Sequence, residues 1–168
     1  MLNLNKLVPF HKGTDKSIII YTDGSCLKNP GIGGWAFLLY SPSTGHCLSK
    51  NGFDLEATNN RMELTAVIQA LSSLKKRDLT VEIISDSQYV INSASKWLPG
   101  WKRKDWKTAT GKPVENIDLM KQIDSFYDID TTWTWVKGHN DDIGNEFVDS
   151  LAGEAARKQI SRENRFMI

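Results

Sequence analysis

The stretch Leu79-Thr-Val-Glu-Ile-Ile-Ser-Asp-Ser-Gln-Tyr-Val90 decides the fold class. Its β-branched first half predicts a buried strand over 79–85, and a helix is predicted to follow over 87–96. A further helix over 114–127 leads into a strand over 131–136. Because strands that alternate with helices require parallel pairing and right-handed crossovers, this half of the chain predicts an α/β architecture.

The first half of the chain predicts antiparallel strands instead. Strands over 17–21, 33–40 and 46–53 are joined by connections short enough for a meander. A helix over 58–75 then leads into the α/β half, and a last helix is predicted over 144–160. We expect Pro99-Gly100 to end the helix that begins at 87. Together the two halves predict an α/β fold with a mixed sheet.

Length and composition indicate one soluble domain. The chain has 168 residues, of which 40% are hydrophobic and 24% charged, as in ordinary globular proteins. We predict a poorly ordered arm over 1–16, a folded domain over 17–161 and a C-terminal tail over 162–168. The N-terminal residues lack the apolar core of a signal peptide, and no apolar run could span a membrane. With only Cys26 and Cys47, a disulfide framework is excluded and a reduced, cytoplasmic compartment is expected.

Charge is distributed unevenly along the chain. The segment Lys96–Lys112, which we name the handle, carries six basic residues and one acid, although the whole chain has a net charge of only +1. Residues 141–154 contain five acids and no Lys or Arg. One interpretation is that the handle holds a polyanion while cations gather at the acidic region; the alternative is two solvated faces.

Two carboxylates occupy unusual positions in the predicted elements. Glu63 continues the apolar stripe that Val67 and Ala70 form on one helix, and a carboxylate facing a sheet must be paired, protonated or bound to metal. The alternative is a capping role with Asn60. Asp86 lies at the carboxyl end of the strand over 79–85, where α/β sheets bind ligands, or it caps the following helix.

Two more carboxylates complete the candidate set. Asp23 lies either in a tight Asp-Gly turn or in a strand that runs past it, with Gly24 marking a bulge or a close ligand approach. Asp149 flanks the sheet-facing side of the last helix. Four acids without matching cations repel one another, and Mg2+ or Mn2+ bound through oxygen relieves this repulsion. Paired metals about 4 Å apart are the usual arrangement for in-line phosphodiester chemistry.

Seven collinear segments resemble type I ribonuclease H of the bacterial kind. They extend over most of the chain, from about 17 to 156, and their order and spacing make the resemblance specific. The segments are Tyr21-Thr-Asp-Gly-Ser-Cys-Leu27, Asn29-Pro-Gly31, Thr58-Asn-Asn-Arg-Met-Glu-Leu64, Asp86-Ser-Gln-Tyr-Val90, Trp101-Lys-Arg-Lys-Asp-Trp-Lys-Thr108, Trp135-Val-Lys-Gly-His139 and Asn145-Glu146 with Asp149-Ser-Leu-Ala152.

The resemblance implies a ribonuclease H-like fold with a five-stranded mixed sheet, three antiparallel strands followed by two parallel ones, flanked by helices. It implies an endonuclease that hydrolyses the RNA strand of RNA–DNA hybrids with two Mg2+ ions (Mn2+ being the alternative), leaving 3′-hydroxyl and 5′-phosphate ends. Asp23, Glu63, Asp86 and Asp149 match the family's catalytic, metal-binding carboxylates. His139 matches a loop histidine that shuttles protons or helps product leave; considered alone, it would be a solvated surface residue.

The resemblance also implies how the hybrid is held. Short amide side chains suit the wide minor groove and its 2′-hydroxyls, whereas the DNA strand is held through its phosphates. The matching residues are Asn29 and Asn60 for the RNA strand, Asn59, Gln88 and Asn116 for the minor groove, Thr58 for a DNA phosphate, Tyr89 and Trp97 for the DNA channel, and Lys102, Arg103, Lys104 and Lys107 in the handle. The alternatives are a turn for Asn29, a cap for Asn59 and core packing for the aromatic residues.

Two departures from the family pattern stand out. Met120 replaces a Trp that is common in bacterial relatives, and the loop 140–143 beside His139 is unusually acidic. Two rival functions remain at this point, a related two-metal nuclease on the same fold and a non-catalytic hybrid-binding protein. We expect a monomer without an obligate protein partner or an organic cofactor.

Overall fold

A computed structural model of the chain describes Leu4 and residues 16–138 and 141–168. The strands are β1 (Ser17–Cys26), β2 (Gly31–Tyr40), β3 (His46–Ala57), β4 (Thr80–Ser85), β5 (Asp130–Trp135) and β6 (Arg162–Met167). The helices are α1 (Asn59–Ser72), α2 (Gln88–Asn92), α3 (Leu98–Arg103), α4 (Ile117–Asp124) and α5 (Ile143–Lys158). Apart from Leu4 and Lys16, the predicted N-terminal arm lies outside the described residues.

The strands form one mixed sheet in the order β5-β4-β1-β2-β3-β6. Strands β1, β2 and β3 pair antiparallel, while β4 pairs parallel with β1 and β5 parallel with β4. The prediction that one half of the sheet is antiparallel and the other half parallel is therefore confirmed. Because β1 and β4 pair parallel, their carboxyl ends lie side by side, which is where an α/β sheet exposes a ligand site.

The prediction of five strands and a C-terminal tail over 162–168 is wrong, because β6 pairs antiparallel with β3 as a sixth strand. Its sequence Arg-Glu-Asn-Arg-Phe-Met gives little hydrophobic signal, so β6 depends on tertiary contacts. Asn51 of β3 supplies one, since its Oδ1 accepts a hydrogen bond from the Arg162 N–H at 2.9 Å. The Asn51 Nδ2 also donates to the Leu151 carbonyl at 2.9 Å, which joins β3 to α5.

The helix that begins at Gln88 does not end at Pro99-Gly100 as predicted. A π turn, Ser93–Trp97, connects α2 directly to α3, which contains Pro99 in its first turn. A proline is tolerated in the first turn of a helix, because the N–H it lacks has no obligatory acceptor there. The helix predicted over 114–127 is also shorter, since α4 starts only after Asn116, whose φ of 55° is left-handed.

The core has two layers, one on each face of the sheet. On one face α1 and the helices that follow it bury residues such as Ile20, Phe37 and Val67 together with Met120, the departure noted above. On the other face α5 packs closely on β2, because a Cβ atom on Gly34 would lie 2.1 Å from the Ala152 carbonyl oxygen. This close packing brings the residues of α5 to the central strands. Among the described residues, no helix is long and apolar enough to cross a membrane.

Candidate active site

Asp23 lies within a strand and not in a turn. Strand β1 continues to Cys26, and Asp23 pairs in register with Ala36 of β2. Its side chain is buried, with 3% exposure. The close approach predicted at Gly24 is made by α1, since a Cβ atom there would lie 2.3 Å from the backbone nitrogen of Glu63. The missing side chain at Gly24 therefore lets α1 place Glu63 next to Asp23.

Glu63 faces the sheet and does not cap its helix. Thr58 is the N-cap residue of α1, and its Oγ1 accepts a hydrogen bond from the Arg61 N–H at 3.2 Å. The Asn60–Glu63 capping alternative is therefore wrong. Glu63 is 8% exposed, and its Oε2 atom is buried without a hydrogen-bond partner among the described residues. A buried carboxylate oxygen without a partner indicates a site for a cation or a proton.

Asp86 follows β4 at the carboxyl edge of the sheet. It does not cap α2, because Ser87 is the N-cap and its Oγ accepts a hydrogen bond from the Val90 N–H at 3.2 Å. The Asp86 backbone carbonyl accepts a hydrogen bond from the Trp135 indole N–H at 3.0 Å. The bond from Trp135 holds the backbone of Asp86 in place. Because Ser87 caps α2, the Asp86 carboxylate is not used as a cap.

The four predicted carboxylates come together at this edge. One carboxylate oxygen each from Asp23, Glu63 and Asp86 lie within 4.8 Å of one another. Asp149, half-buried on α5, interacts directly with the Asp23 carboxyl group. We name these four residues the acidic cluster. Its members come from β1, α1, the end of β4 and α5, so the whole fold is needed to assemble it.

Burial and mutual repulsion disfavour negative charge in the acidic cluster. Burial, followed by the charges of Asp86 and Asp149, raises the pKa of Asp23 to about 8, although a hydrogen bond with Glu63 acts in the opposite direction. Burial and the charge of Asp23 raise the pKa of Glu63 well above its usual range. A divalent cation removes this penalty, because it balances the charge that burial disfavours.

The acidic cluster has the chemistry of a site for a hard metal ion. Its donors are carboxylate oxygens, which Mg2+ and Mn2+ prefer, and the described metal-ligating group contains no His or Cys. The unpartnered Oε2 of Glu63 is an available ligand atom. The residues therefore fit the divalent cations that the family resemblance implies.

A second group of predicted residues gathers at the N-terminus of α1. The Asn29 Oδ1 accepts a hydrogen bond from the Asn59 backbone N–H at 3.3 Å, which brings the Asn29 turn against residues 58–60. The turn interpretation of Asn29 fits this contact, whereas the cap interpretation of Asn59 is wrong, because Thr58 is the N-cap and Asn59 is the first residue of α1. The side chains of Asn29 and Asn59 are exposed, and Asn59 lies one helical turn before Glu63 on α1.

Asn116 and Tyr89 are linked to this helix by Arg61, which the sequence interpretation did not include. The Arg61 guanidinium donates to both carboxylate oxygens of Asp118, at 3.0 and 2.8 Å, and to the Asn116 Oδ1 at 3.3 Å. The Asn116 Nδ2 in turn donates to the Tyr89 hydroxyl at 2.9 Å. The inclusion of Arg61 in the segment Thr58–Leu64 was the signal that could have identified it.

Most of the handle is exposed to solvent, although Leu98 is buried in the core. Trp97 is 45% exposed, and its ring lies 6.0 Å from that of Trp101, which packs partly on the core. The Lys102 ammonium pairs with Asp124 at 3.0 Å and remains exposed. The other five basic residues of the handle are also exposed, as is Gln88 at the start of α2; the five are Lys96, Arg103, Lys104, Lys107 and Lys112.

The loop before α5 is described only in part, because His139 and Asn140 lie outside the described residues. Asp142 is the N-cap of α5, and its Oδ1 accepts a hydrogen bond from the Asn145 N–H at 2.9 Å. One of the two loop acids thus has a local structural role. Asn145, which the sequence interpretation quoted without a role, donates from its Nδ2 to the Asp86 Oδ2 at 3.4 Å.

Comparison with known proteins identifies the family. Residues 15–157 match the RNase H family model. The chain belongs to the ribonuclease H family. Among its bacterial relatives, the ribonuclease HI of Neisseria meningitidis serogroup B is 48% identical over 143 residues, which cover 84% of this chain and 97% of that protein. The ribonuclease H of Thiobacillus denitrificans is 51% identical over 138 residues, covering 82% and 91%.

A solved ribonuclease H has the same fold. The crystal structure of LC9-RNase H1, described as a type 1 enzyme with the type 2 active-site motif, superposes with a TM-score of 0.81 at 26% identity. The match covers 94% of this chain and 80% of that one. The resemblance of this ribonuclease H to the bacterial type I enzymes, and the α/β fold that it implied, are therefore confirmed; only the number of strands is corrected.

Proposed function

We propose that this ribonuclease H hydrolyses the RNA strand of RNA–DNA hybrids at the acidic cluster, with Asp23, Glu63, Asp86 and Asp149 holding two Mg2+ ions. The convergence of three carboxylate oxygens within 4.8 Å at the carboxyl edge of the sheet carries this proposal. When bound, divalent ions supply Lewis-acid activation of water and of the scissile phosphate. Mn2+ has the same preference for oxygen ligands and is the alternative ion.

The protein contributes position and charge to this chemistry. The carboxylates come from elements fixed by close backbone packing, as at Gly24, so the cluster is preorganised before substrate arrives. The cluster repels a phosphate when it carries charge alone, and cations convert it into a site that attracts one. A protein that only bound hybrids would gain nothing from these acids, which argues against the non-catalytic alternative.

The hybrid is proposed to lie across the N-termini of α1 and α2. Asn29 and Asn60 would contact the RNA strand, and Asn59, Gln88 and Asn116 the minor groove, where the 2′-hydroxyl distinguishes RNA from DNA. Two hydrogen bonds support this arrangement, because the Asn59 backbone N–H holds the Asn29 side-chain amide and the Tyr89 hydroxyl holds that of Asn116. Thr58 supports a phosphate contact, because it caps a helix whose N-terminal N–H groups favour anions.

The DNA strand is proposed to follow Tyr89 and Trp97 toward the handle. The exposure of Trp97 supports stacking or backbone contact, and Lys104 and Lys107 offer phosphate contacts that do not depend on sequence. His139 is retained as a proposed proton carrier or product-release residue from the family resemblance. Because the acidic cluster forms within one chain, we propose that a monomer is sufficient for activity.

The proposal is tested with labelled RNA–DNA hybrid, double-stranded RNA and double-stranded DNA of one sequence, each with Mg2+ or with EDTA. We expect cleavage of the hybrid RNA strand alone, only with the metal, leaving 3′-hydroxyl ends. Asp23→Asn should abolish cleavage of the hybrid. Asp78→Asn, which removes an exposed carboxylate paired with Lys16, should keep wild-type turnover. Substantial turnover by Asp23→Asn, or equal cleavage of double-stranded DNA, would contradict the proposal.

A further inference from the structure

Asn145 lies against the acidic cluster with half of its amide group unsatisfied. It is 3% exposed in the first turn of α5. Its Nδ2 donates to the Asp86 Oδ2 at 3.4 Å, whereas its Oδ1 is buried and has no hydrogen-bond partner among the described residues. The Asn145 backbone is fixed independently, because its N–H is bound by Asp142. The side-chain amide of Asn145 is therefore not needed to cap α5.

A buried amide oxygen without a donor is costly, and native proteins seldom leave one unsatisfied. Since the two ends of one amide share a carbon atom, this oxygen lies close to the carboxylate that the other end contacts. The cluster also holds the buried, unpartnered Oε2 of Glu63. One of these unpartnered acceptors belongs to the acidic cluster, and the other belongs to a side chain that contacts a cluster member. Both suit an occupant that brings positive charge and O–H donors, as a hydrated divalent cation does.

The choice of an amide fits this role. The hydrogen bond from the Asn145 Nδ2 restrains the orientation of the Asp86 carboxylate, which is what a metal ligand needs. Lys or Arg would do the same but would bring a positive charge that competes with the cation. An amide donates without net charge and offers an acceptor beside its donor, so it can contact the carboxylate and a hydrated cation together.

We propose that Asn145 is a positioning residue of the metal site, which orients the Asp86 carboxylate through Nδ2 and offers Oδ1 to a hydrated divalent cation. This inference rests on the proposed function of the acidic cluster. It assigns Asn145 to cation affinity and not to hybrid binding or to overall stability.

Asn51 provides a matched control. It is a second buried asparagine, 1% exposed, that also contacts α5. Both ends of its amide have backbone partners, the Leu151 carbonyl and the Arg162 N–H. Asn51 therefore has a structural role alone, and the two asparagines separate loss of stability from loss of metal affinity.

The test titrates Mn2+ into the nucleic-acid-free protein by calorimetry, for wild type and the variants Asn145→Ala, Asn145→Ser, Asn51→Ala and Asp86→Asn. We expect Asn145→Ala to bind Mn2+ about tenfold more weakly, the usual effect of losing a group that supports a metal ligand. Asn51→Ala should keep wild-type affinity while melting at a lower temperature in EDTA. The Mg2+ concentration for half-maximal cleavage should rise about tenfold in Asn145→Ala, and the KM for hybrid should not change.

The outcomes distinguish this inference from the proposal beneath it. If Asp86→Asn loses Mn2+ binding while folded Asn145→Ala keeps it, the role of Asn145 is wrong and the acidic cluster stands. If Asp86→Asn also binds like wild type, the proposed metal site itself fails. If Asn145→Ala does not fold, the Mn2+ affinity of Asn145→Ser is measured in its place. If neither variant folds, Asn145 is a structural residue and the inference is overturned.

Discussion

The acidic cluster and the handle carry charge in opposite ways. The cluster gathers four carboxylates from four distant parts of the chain into a mostly buried pocket, where burial raises the pKa of Asp23 to about 8. The handle presents basic side chains from one continuous segment, and most of them are exposed to solvent. One region concentrates charge where water is excluded, and the other spreads charge where water and salt surround it.

This difference in burial determines which ligands each region can attract. Buried charges interact strongly over short distances, so the cluster selects ions by size and ligand type. Exposed charges are screened beyond about 10 Å at 0.1 M salt, so the handle attracts any polyanion and does so weakly at high salt. We therefore expect substitutions in the cluster to alter turnover and stability, and substitutions in the handle to alter binding and its salt dependence.

The largest effect is expected from Asp23→Asn. The change removes a ligand from the centre of the cluster, so turnover should fall by more than about a hundredfold, which exceeds the usual loss for groups that only support a ligand. The same change should raise the melting temperature in EDTA at pH 8, because it replaces a carboxylate whose charge is disfavoured by burial. Single-turnover cleavage and thermal melts measure the two results. A variant that is both inactive and less stable would show that Asp23 is mainly structural.

The second prediction concerns pH and metal together. The folded pKa of Asp23, about 8, lies above its ordinary value of 3.8, so the native state holds a proton that the unfolded chain releases. Stability of the metal-free protein should therefore fall as pH rises from about 4 to 8, and Glu63 adds to the same trend. Thermal melts in EDTA across this range check the slope. Saturating Mg2+, or Asp23→Asn, should flatten it; an equal slope in all three cases would contradict the account.

The third prediction tests the handle. The triple change of Lys102, Arg103 and Lys104 to Ala removes exposed positive charges, so hybrid affinity should fall and its log–log salt slope should decrease by roughly 2 to 3. Turnover at saturating hybrid should change little. Fluorescence anisotropy at several KCl concentrations gives the slope. The double change of Lys75 and Lys76 to Ala, exposed residues beyond the other end of α1, is the control and should leave it unchanged.

The smallest effect is expected from Arg61, which belongs to neither the acidic cluster nor the handle. Arg61 binds Asp118 through two hydrogen bonds and also holds Asn116, and lysine cannot reproduce this forked geometry. Because the pair is partly exposed, Arg61→Lys should raise the KM for hybrid by only about fivefold, with kcat unchanged. Arg77→Lys, at the exposed pair with Asp128, is the matched control. Steady-state kinetics on one hybrid measure both, and equal effects would place Arg61 among ordinary surface pairs.

The fold and the acidic cluster could largely be predicted from the sequence. Asp23, Glu63 and Asp86 interrupted patterns of burial, and a carboxylate in an apolar stripe has few explanations. Their competing interpretations as turn and cap residues were resolved only by neighbours, since Thr58 and Ser87 are the actual caps. Local sequence offers several cap candidates, whereas the three-dimensional structure uses one.

The remaining features depended on distant contacts. Strand β6 forms by pairing with β3, more than a hundred residues earlier, and Asn51 adds a side-chain bond to the Arg162 N–H. The π turn Ser93–Trp97, which precedes the helix containing Pro99, has no sequence signature, and the Arg61–Asp118 pair spans 57 positions. Asn145 was visible in the sequence, four residues before Asp149, but its role became apparent only from the partners of its amide group.

The sixth strand has a practical consequence for handling the protein. Strand β3 is twelve residues long, and without β6 its outer edge would be a row of unpaired amide and carbonyl groups, the usual template for intermolecular sheet growth. The β6 strand covers this row and presents Arg162, Glu163 and Arg165, exposed charged side chains, in its place. A chain truncated after Lys158 would keep every carboxylate of the active site yet scatter light on concentration, so colloidal behaviour depends on one edge strand and the chemistry depends on the inner strands β1 and β4.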